Sequence, residues 1–429
     1  LSEAASAENG NAANERFAHL DGLRGWAALA VVCNHAILAL NGALMSGQPS
    51  ESHGWWDIWM SGTPFFPLAN VGNLAVCLFF GLSGLVLAHS YARSRRTWVG
   101  LLSQRFIRLV IPMLAGCILA WALLIAGLMA NGRAGLLTKS YWLEIQYHQQ
   151  PDFLQAVLEP VLTLLGWHFD VRTTYDSSLW TMPIEAFGSA VLIAVFAAAR
   201  ALGLRDLRNV GAVCALLGML LLLQGYYVCL MLFGAAAGLL WPSRGRLLWP
   251  WMLVCLLSGL FLGTLPYSVA RWPIYGWLVG AVSALVSAPG NWTMRAEDLC
   301  HALGSILVLV AVLSHVPLQV HLGRPLGQWL GRISYPLYIL HVPLLMMVEC
   351  WLILAFDAWH IPGATAIILP VAVGVVVAIV SLVAPSIERL AIGTARWVGG
   401  AIDGLMPWHV RTAPASPPSV SSRVKRHRA

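Results

Sequence analysis

The feature that most constrains this chain is a series of apolar runs, each about long enough to cross a bilayer. They fall at about 23–42, 70–91, 109–130, 179–199, 209–225, 226–241, 248–265, 299–316, 333–355 and 364–385. A helix needs roughly 20 apolar residues to cross a hydrocarbon core of about 30 Å. Inside that core every backbone group must be satisfied within its own segment, so only helices or closed barrels remain. Runs of this length, without strand-period alternation, select helices. Charged residues make up 10% of the chain and hydrophobic ones 58%, against about 25% charged in a soluble domain. The expectation is an all-α polytopic membrane protein of about ten spans, with both termini cytoplasmic.

Loop charge sets the orientation, because short cytoplasmic loops collect Lys and Arg. The first connection holds Glu51 and Asp57 and no basic residue, whereas the second holds Arg93, Arg95, Arg96, Arg105 and Arg108. After the third span Arg133, Lys139 and Arg172 meet Glu144, Asp152, Glu159, Asp170 and Asp176; after the fourth come Arg200, Arg205 and Arg208, and after the sixth Arg244 and Arg246. A further run, 274–288, ends at Pro289-Gly290. If it crossed, Arg324, Arg332 and the tail with Arg423, Lys425, Arg426 and Arg428 would lie outside, so it reads as a re-entrant or peripheral helix. The stretch 153–169, interrupted by Glu159-Pro160, reads as an extracytoplasmic surface helix.

Three divisions follow: a small, polar, disordered 1–15; a membrane domain over 16–390; and a basic, partly disordered cytoplasmic tail over 391–429, whose partner is anionic lipid. No charged segment precedes a short apolar core, so the first span is expected to act as its own insertion signal. The net charge of +7 follows from loop arginines and does not call for nucleic acid. The eight cysteines sit in or beside apolar stretches without a C-x-x-C pair and read as packing residues. No spacing suits a metal, and there is no Walker loop, dinucleotide loop or G-x-S-x-G elbow. His53, His148, His168 and His360 fall in extracytoplasmic segments.

Ionisable residues inside apolar runs are costly and mark function more often than packing. The first span opens with Leu20-Asp21-Gly22-Leu23-Arg24 and carries His35 roughly 16 Å deeper. The second contains Phe79-Phe80-Gly81-Leu82-Ser83-Gly84, where Gly81, Gly84 and Ala88 share a face suited to close helix approach. Ser83 is a candidate for lining a cavity. Arg105 and Arg108, three apart, share a face at the membrane boundary, with Pro112 one turn later; two guanidiniums so placed suit a phosphate, or else lipid headgroups. The fourth span begins Ser178-Leu179-Trp180-Thr181-Met182-Pro183-Ile184-Glu185. Running inward, it sets Glu185 at nearly the depth of His35, which suggests a His–carboxylate pair. The ninth begins Gly331-Arg332-Ile333-Ser334-Tyr335-Pro336 and reaches a second buried histidine, His341.

Taken in order, these stretches and Ser386-Ile387-Glu388-Arg389 after the last span resemble the acyltransferase family 3 membrane proteins, over about residues 16–390. The resemblance implies a bacterial inner-membrane enzyme. It would move an acyl group, by default acetyl, from cytoplasmic acyl-coenzyme A to a hydroxyl of an extracytoplasmic or membrane-linked glycan. Acyl-coenzyme A is then the donor substrate, with no permanently bound cofactor. Arg24 and His35 match the family's functional pair, and Arg105 and Arg108 its coenzyme A-binding arginines. His35 is the expected general base or transient acyl carrier, with Glu185 beside it; Arg24, Arg105, Arg108, Ser83, Tyr335 and His341 are the expected substrate contacts. Family members with a fused extracytoplasmic domain differ from this chain, so transfer is expected within the membrane domain or with a separate envelope-biosynthesis partner. Pro183 departs from the pattern. The alternative function is a glycan or small-solute transporter using buried His and Glu as a proton relay.

Overall fold

In a computed structural model the chain is described at residues 2–61, 63, 70–94, 96–167, 169–204, 206–241, 247–267, 273–283, 293–361 and 363–405, with side chains outside 2–17 and 273. His168, Arg95, Arg205, Arg244, Arg246, the Pro289-Gly290 end of 274–288 and the basic tail beyond 405 lie outside the described residues. Among the described residues all regular structure is helical, apart from one isolated bridge between Tyr226 and Thr293.

The main helices are α1 (Ser2–Leu40), α2 (Gly72–Arg93), α3 (Trp98–Ile125), α4 (Phe153–Leu164), α5 (Met182–Ala201), α6 (Leu207–Leu223), α7 (Val228–Leu240), α8 (Trp249–Gly263), α9 (Pro273–Ser283), α10 (Ala296–Ser314), α11 (Pro325–Ala358) and α12 (Ala364–Leu405). Helix α1 extends back through the polar stretch expected to be disordered, where alanines at 4, 5, 7, 12 and 13 carry high intrinsic helix propensity. Among the described residues seven segments are long and apolar enough to cross a membrane: Ala18–Leu40, Gly72–Arg93, Trp98–Ile125, Ser177–Ala201, Ala296–Ser314, Pro325–Ala358 and Ala364–Leu405. The three other expected spans fall on α6, α7 and α8, which by helical rise are only about 20–26 Å long. Of the run at 274–288, the residues up to Ser283 are described, and they are helical in α9.

Close backbone approach holds the bundle together, because apolar side chains gain little by leaving lipid for one another. A Cβ at Gly84 would overlap the Met231 carbonyl, and one at Gly234 the Gly81 carbonyl, so the small face of α2 is the seat of α7. Likewise Gly25 and Gly331 let α1 lie directly on α11, each lacking room for a side chain. Val32, Ala36, Leu337 and Leu344 continue that seam, and Val376 and Val380 of α12 close over it. These contacts set the azimuth of α1 and α11, and hence of their histidines.

The end of α2, the start of α3 and the last turns of α12 meet at one end of the bundle, here the arginine end. There Asp403 of α12 accepts hydrogen bonds from Thr97 N (2.9 Å) and Thr97 Oγ1 (2.6 Å) at the start of α3, while Thr97 caps that helix by accepting from Gly100 N. The short helix Val316–Leu322 packs beside it, with the Leu322 carbonyl against Gly22.

Candidate functional site

Two cavities enter the bundle, and both are lined by Val76 of α2 and Tyr338 of α11. One, of about 750 Å³, lies toward the arginine end; the other, of about 650 Å³, contains His35. The Tyr338 hydroxyl is fixed by Thr181 Oγ1 at 3.0 Å and the Ser178 carbonyl at 3.3 Å, and Phe79 packs edge-on to its ring. Tyr338 is thus a pinned wall between two chambers.

The arginine cavity is lined by Arg24, Arg105, Arg108, Arg332 and Arg389, against the carboxylates Asp21, Glu185 and Glu388. Ser83 and Tyr335 also line it. Arg105 is not free: its guanidinium pairs with Glu185, contacts Ser83 Oγ at 3.0 Å through Nη2, and contacts Ser189 Oγ at 3.1 Å through Nε. Ser83 also donates to Glu185. Arg108 is looser, half exposed and 3.8 Å from Glu388. The two arginines share a cavity but differ in state: one is locked into a buried network, while the other can still take a ligand. Tyr335 donates to the Leu109 carbonyl at 2.9 Å, tying α11 to α3.

The expected pairing of Glu185 with His35 is not formed. Glu185 lines the arginine cavity and turns to α2 and α3, whereas His35 lines the other chamber. Depth along a helix axis carries no information about azimuth, and a buried carboxylate is held by the nearest cation. His35 instead meets His341, Nδ1 to Nε2 at 2.8 Å. The Trp142 ring stacks on His35 with centroids 5.1 Å apart.

The proton positions in this dyad follow from chemistry. His341 Nδ1 is 2.7 Å from the Tyr338 carbonyl, which only accepts, so Nδ1 carries the hydrogen. In a neutral imidazole the other nitrogen, Nε2, is then an acceptor, and His35 Nδ1 must donate to it. That leaves Nε2 of His35 with a lone pair and no protein partner among the described residues. His341 is wholly buried, while His35 retains exposure to the chamber. The tautomer of the dyad is set from the backbone, the orienting role that the sequence assigned to Glu185.

Sequence reading missed the rest of the histidine chamber. Asn73 donates to Asp298 Oδ1 at 3.0 Å and contacts His301 Nδ1 at 3.0 Å. Tyr267 donates to Asp298 Oδ1 at 2.9 Å, and the Arg295 guanidinium lies 4.9 Å over the Tyr267 ring. Asn70 lines the chamber with both amide atoms buried and without a partner among the described residues. The available signal was polar residues at the ends of apolar runs: Asn70 and Asn73 open the second, and Arg295 and Asp298 the eighth. Trp180 and Tyr227 add aromatic surface.

Beside the chamber, Asp176 caps the turn Ser177–Thr181 by accepting from Ser178 N at 2.9 Å, while its Oδ2 is buried without a partner. Burial raises its pKa to about 8. Glu159 of α4 accepts from Thr174 Oγ1 and from Tyr175 N, and burial raises it to about 7 against those hydrogen bonds.

A family model described as an acyltransferase domain matches residues 17–384. No curated protein matches the chain, and no solved structure does.

Proposed function

The chain belongs to the acyltransferase family 3, and from that premise we propose that its two chambers hold donor and acceptor on either side of Tyr338. The donor is acyl-coenzyme A, most simply acetyl-coenzyme A, with its phosphates against the arginine cavity. The acceptor is a glycan hydroxyl in the histidine chamber. The observation that carries this reading is the His35–His341 dyad, which leaves one unpaired imidazole nitrogen on a chamber backing directly onto a cationic one.

The chemistry follows from those positions. A sugar hydroxyl is a weak nucleophile and needs a base as it attacks. His35 Nε2 takes the hydroxyl proton while the oxygen attacks the thioester carbonyl. The C–S bond breaks, the coenzyme thiolate leaves, and the imidazolium returns its proton to that thiolate. His341 stabilises the imidazolium by accepting from His35 Nδ1. Five arginines against three carboxylates leave the donor cavity an excess of positive charge that suits a polyphosphate. For the thioester to reach His35 it must pass Tyr338, so donor binding displaces the Tyr338–Thr181 contact. The loop-charge pattern supports placing the arginine end in the cytoplasm, and the location we propose is a bacterial inner membrane.

The test is acetyl transfer by the purified full chain in nanodiscs, with radiolabelled acetyl-coenzyme A and membrane glycan extract as acceptor. Label should enter glycan with wild type and not with His35→Ala, while both variants bind coenzyme A. Absence of coenzyme A binding by wild type, together with net flux of glycan across vesicles, would replace this reading with a carrier, since chambers backing onto one wall also suit alternating access.

A further inference from the structure

The three helices that supply Ser83, Arg105, Arg108 and Glu388 to the arginine cavity continue past it and enclose a second recess. This recess, of about 560 Å³, is lined by His89 and Arg93 of α2, Arg96 and Gln104 before and on α3, and Arg396 of α12. The displacement has the same direction on every helix: from Ser83 to His89, from Arg108 back to Gln104, and from Glu388 on to Arg396. By helical rise these steps are roughly 6–12 Å toward the arginine end. The recess therefore lies beyond the arginine cavity, toward the arginine end of the bundle.

Its electrostatics differ from those of its neighbour. Among the described residues no carboxylate lines it. Arg96 is already paired with Asp403, Nη1 to Oδ2 at 3.1 Å. Arg93 and Arg396 are exposed and make no hydrogen bond or ion pair with a described residue. The Ser90 and Ser94 side chains add hydroxyls beside them. Two uncompensated guanidiniums with flanking hydroxyls fit a phosphate monoester, which offers up to two charges and three acceptor oxygens.

We propose that this recess binds the 3′-phosphate of the donor's nucleotide end, with Arg93 and Arg396 as its charge partners. The diphosphate then lies against Arg24 and Arg108, one nucleoside length deeper, and the thioester arm points at Tyr338. This rests on the acyl-coenzyme A reading of the inner cavity. An anionic lipid headgroup carries the same phosphate chemistry, so the experiment separates the two sources.

The full chain in nanodiscs of neutral lipid is titrated with coenzyme A and with 3′-dephospho-coenzyme A, as wild type, Arg93→Ala/Arg396→Ala and Arg93→Lys/Arg396→Lys. Both positions are exposed, and retained size-exclusion and thermal-unfolding profiles check folding. Wild type should bind coenzyme A about 10–100-fold more tightly than the dephospho compound. The alanine pair should lose that preference while binding dephospho-coenzyme A as wild type does, and the lysine pair should recover part of it. Equal binding of the two ligands by wild type, or an equal loss of both in the alanine pair, overturns the assignment. So does unchanged ligand preference in the alanine pair combined with weaker association of anionic lipid, which would make the recess a headgroup site. If wild type binds neither ligand, the donor reading itself fails, a result distinct from binding without 3′-phosphate preference.

Discussion

His35 Nδ1 lies 2.8 Å from His341 Nε2, across the seam between the first and eleventh main helices. Because His341 Nδ1 is committed to the Tyr338 carbonyl, the hydrogen between the rings belongs to His35, and His35 Nε2 keeps its lone pair. His35→Ala is therefore expected to lower acyl transfer about 10²–10⁴-fold with donor binding intact. His341→Ala should lower kcat less, with the donor KM little changed, because His35 survives but loses its orienting partner. Transfer rates at matched protein levels check both, and normal transfer by His35→Ala would remove the dyad from the mechanism.

Glu185 is paired with Arg105. The two side chains are 11% and 18% exposed, and removing one partner of such a pair leaves a charge without compensation. Glu185→Ala should cost about 3–5 kcal/mol of stability, read as a lower unfolding temperature in detergent. Glu185→Ala/Arg105→Ala should recover part of that loss. If Glu185→Ala unfolds like wild type yet loses all transfer, Glu185 belongs to the chemistry after all.

Arg108 is the looser of the two motif arginines, half exposed and 3.8 Å from its nearest carboxylate. Arg108→Ala is expected to weaken coenzyme A binding by roughly 1.5–3 kcal/mol, about ten- to a hundredfold. Lysine should restore it only in part, for want of a bidentate fork. Equilibrium binding measures the change, and an unaltered constant would leave Arg108 as a lipid anchor.

Stability should fall as pH rises across the neutral range. Asp176 and Glu159 have ordinary values of 3.8 and 4.5, raised by burial to about 8 and about 7. Between those limits the folded protein holds protons that the unfolded chain has released, so folding is favoured at the acidic end. The contribution is full below about 4 and is lost progressively up to about 8. Unfolding temperatures at pH 5, 6.5 and 8 should decline in that order from this source. Asp176→Asn should flatten the upper part of the slope; an unchanged slope would mean that Asp176 is ionised in the fold.

The arginine end should lie on one side of the membrane as a unit. Val316–Leu322 packs on the first helix through Leu322 and Gly22, and Asp403 joins the last helix to Thr97. A cysteine placed at the exposed His321 should be labelled from the cytoplasm and protected from outside reagents. Labelling from outside would invert the orientation read from the loop charges.

Much of the site was legible as residue types in order: Arg24, His35, Ser83, Arg105, Arg108, Glu185, Tyr335 and His341 all line or adjoin the two chambers. Their partnerships were not legible. Arg105 and Arg108 look equivalent at three-residue spacing, yet one is buried in a network and the other is half free. Glu185 and His35 share a depth and not a chamber. Asn70, Asn73 and Asp298 gave only their place at the ends of apolar runs, a weak signal, since polar residues there usually mark only where a span meets water.

Sequence by itself determined that the chain is a helical membrane protein, because its apolar runs leave backbone hydrogen bonds nowhere to go except within each helix. It also determined which helices carry ionisable groups, and at what depth, since helical rise is constant. Tertiary structure alone decided which of those groups meet. That choice rests on helix azimuth, set by where glycine lets two backbones touch: Gly25 on Gly331 turns His35 toward His341, and Gly84 under Met231 sets the small face of its helix against the seventh. A missing side chain acts at the far partner, so its effect on pairing is invisible until the partner is in place.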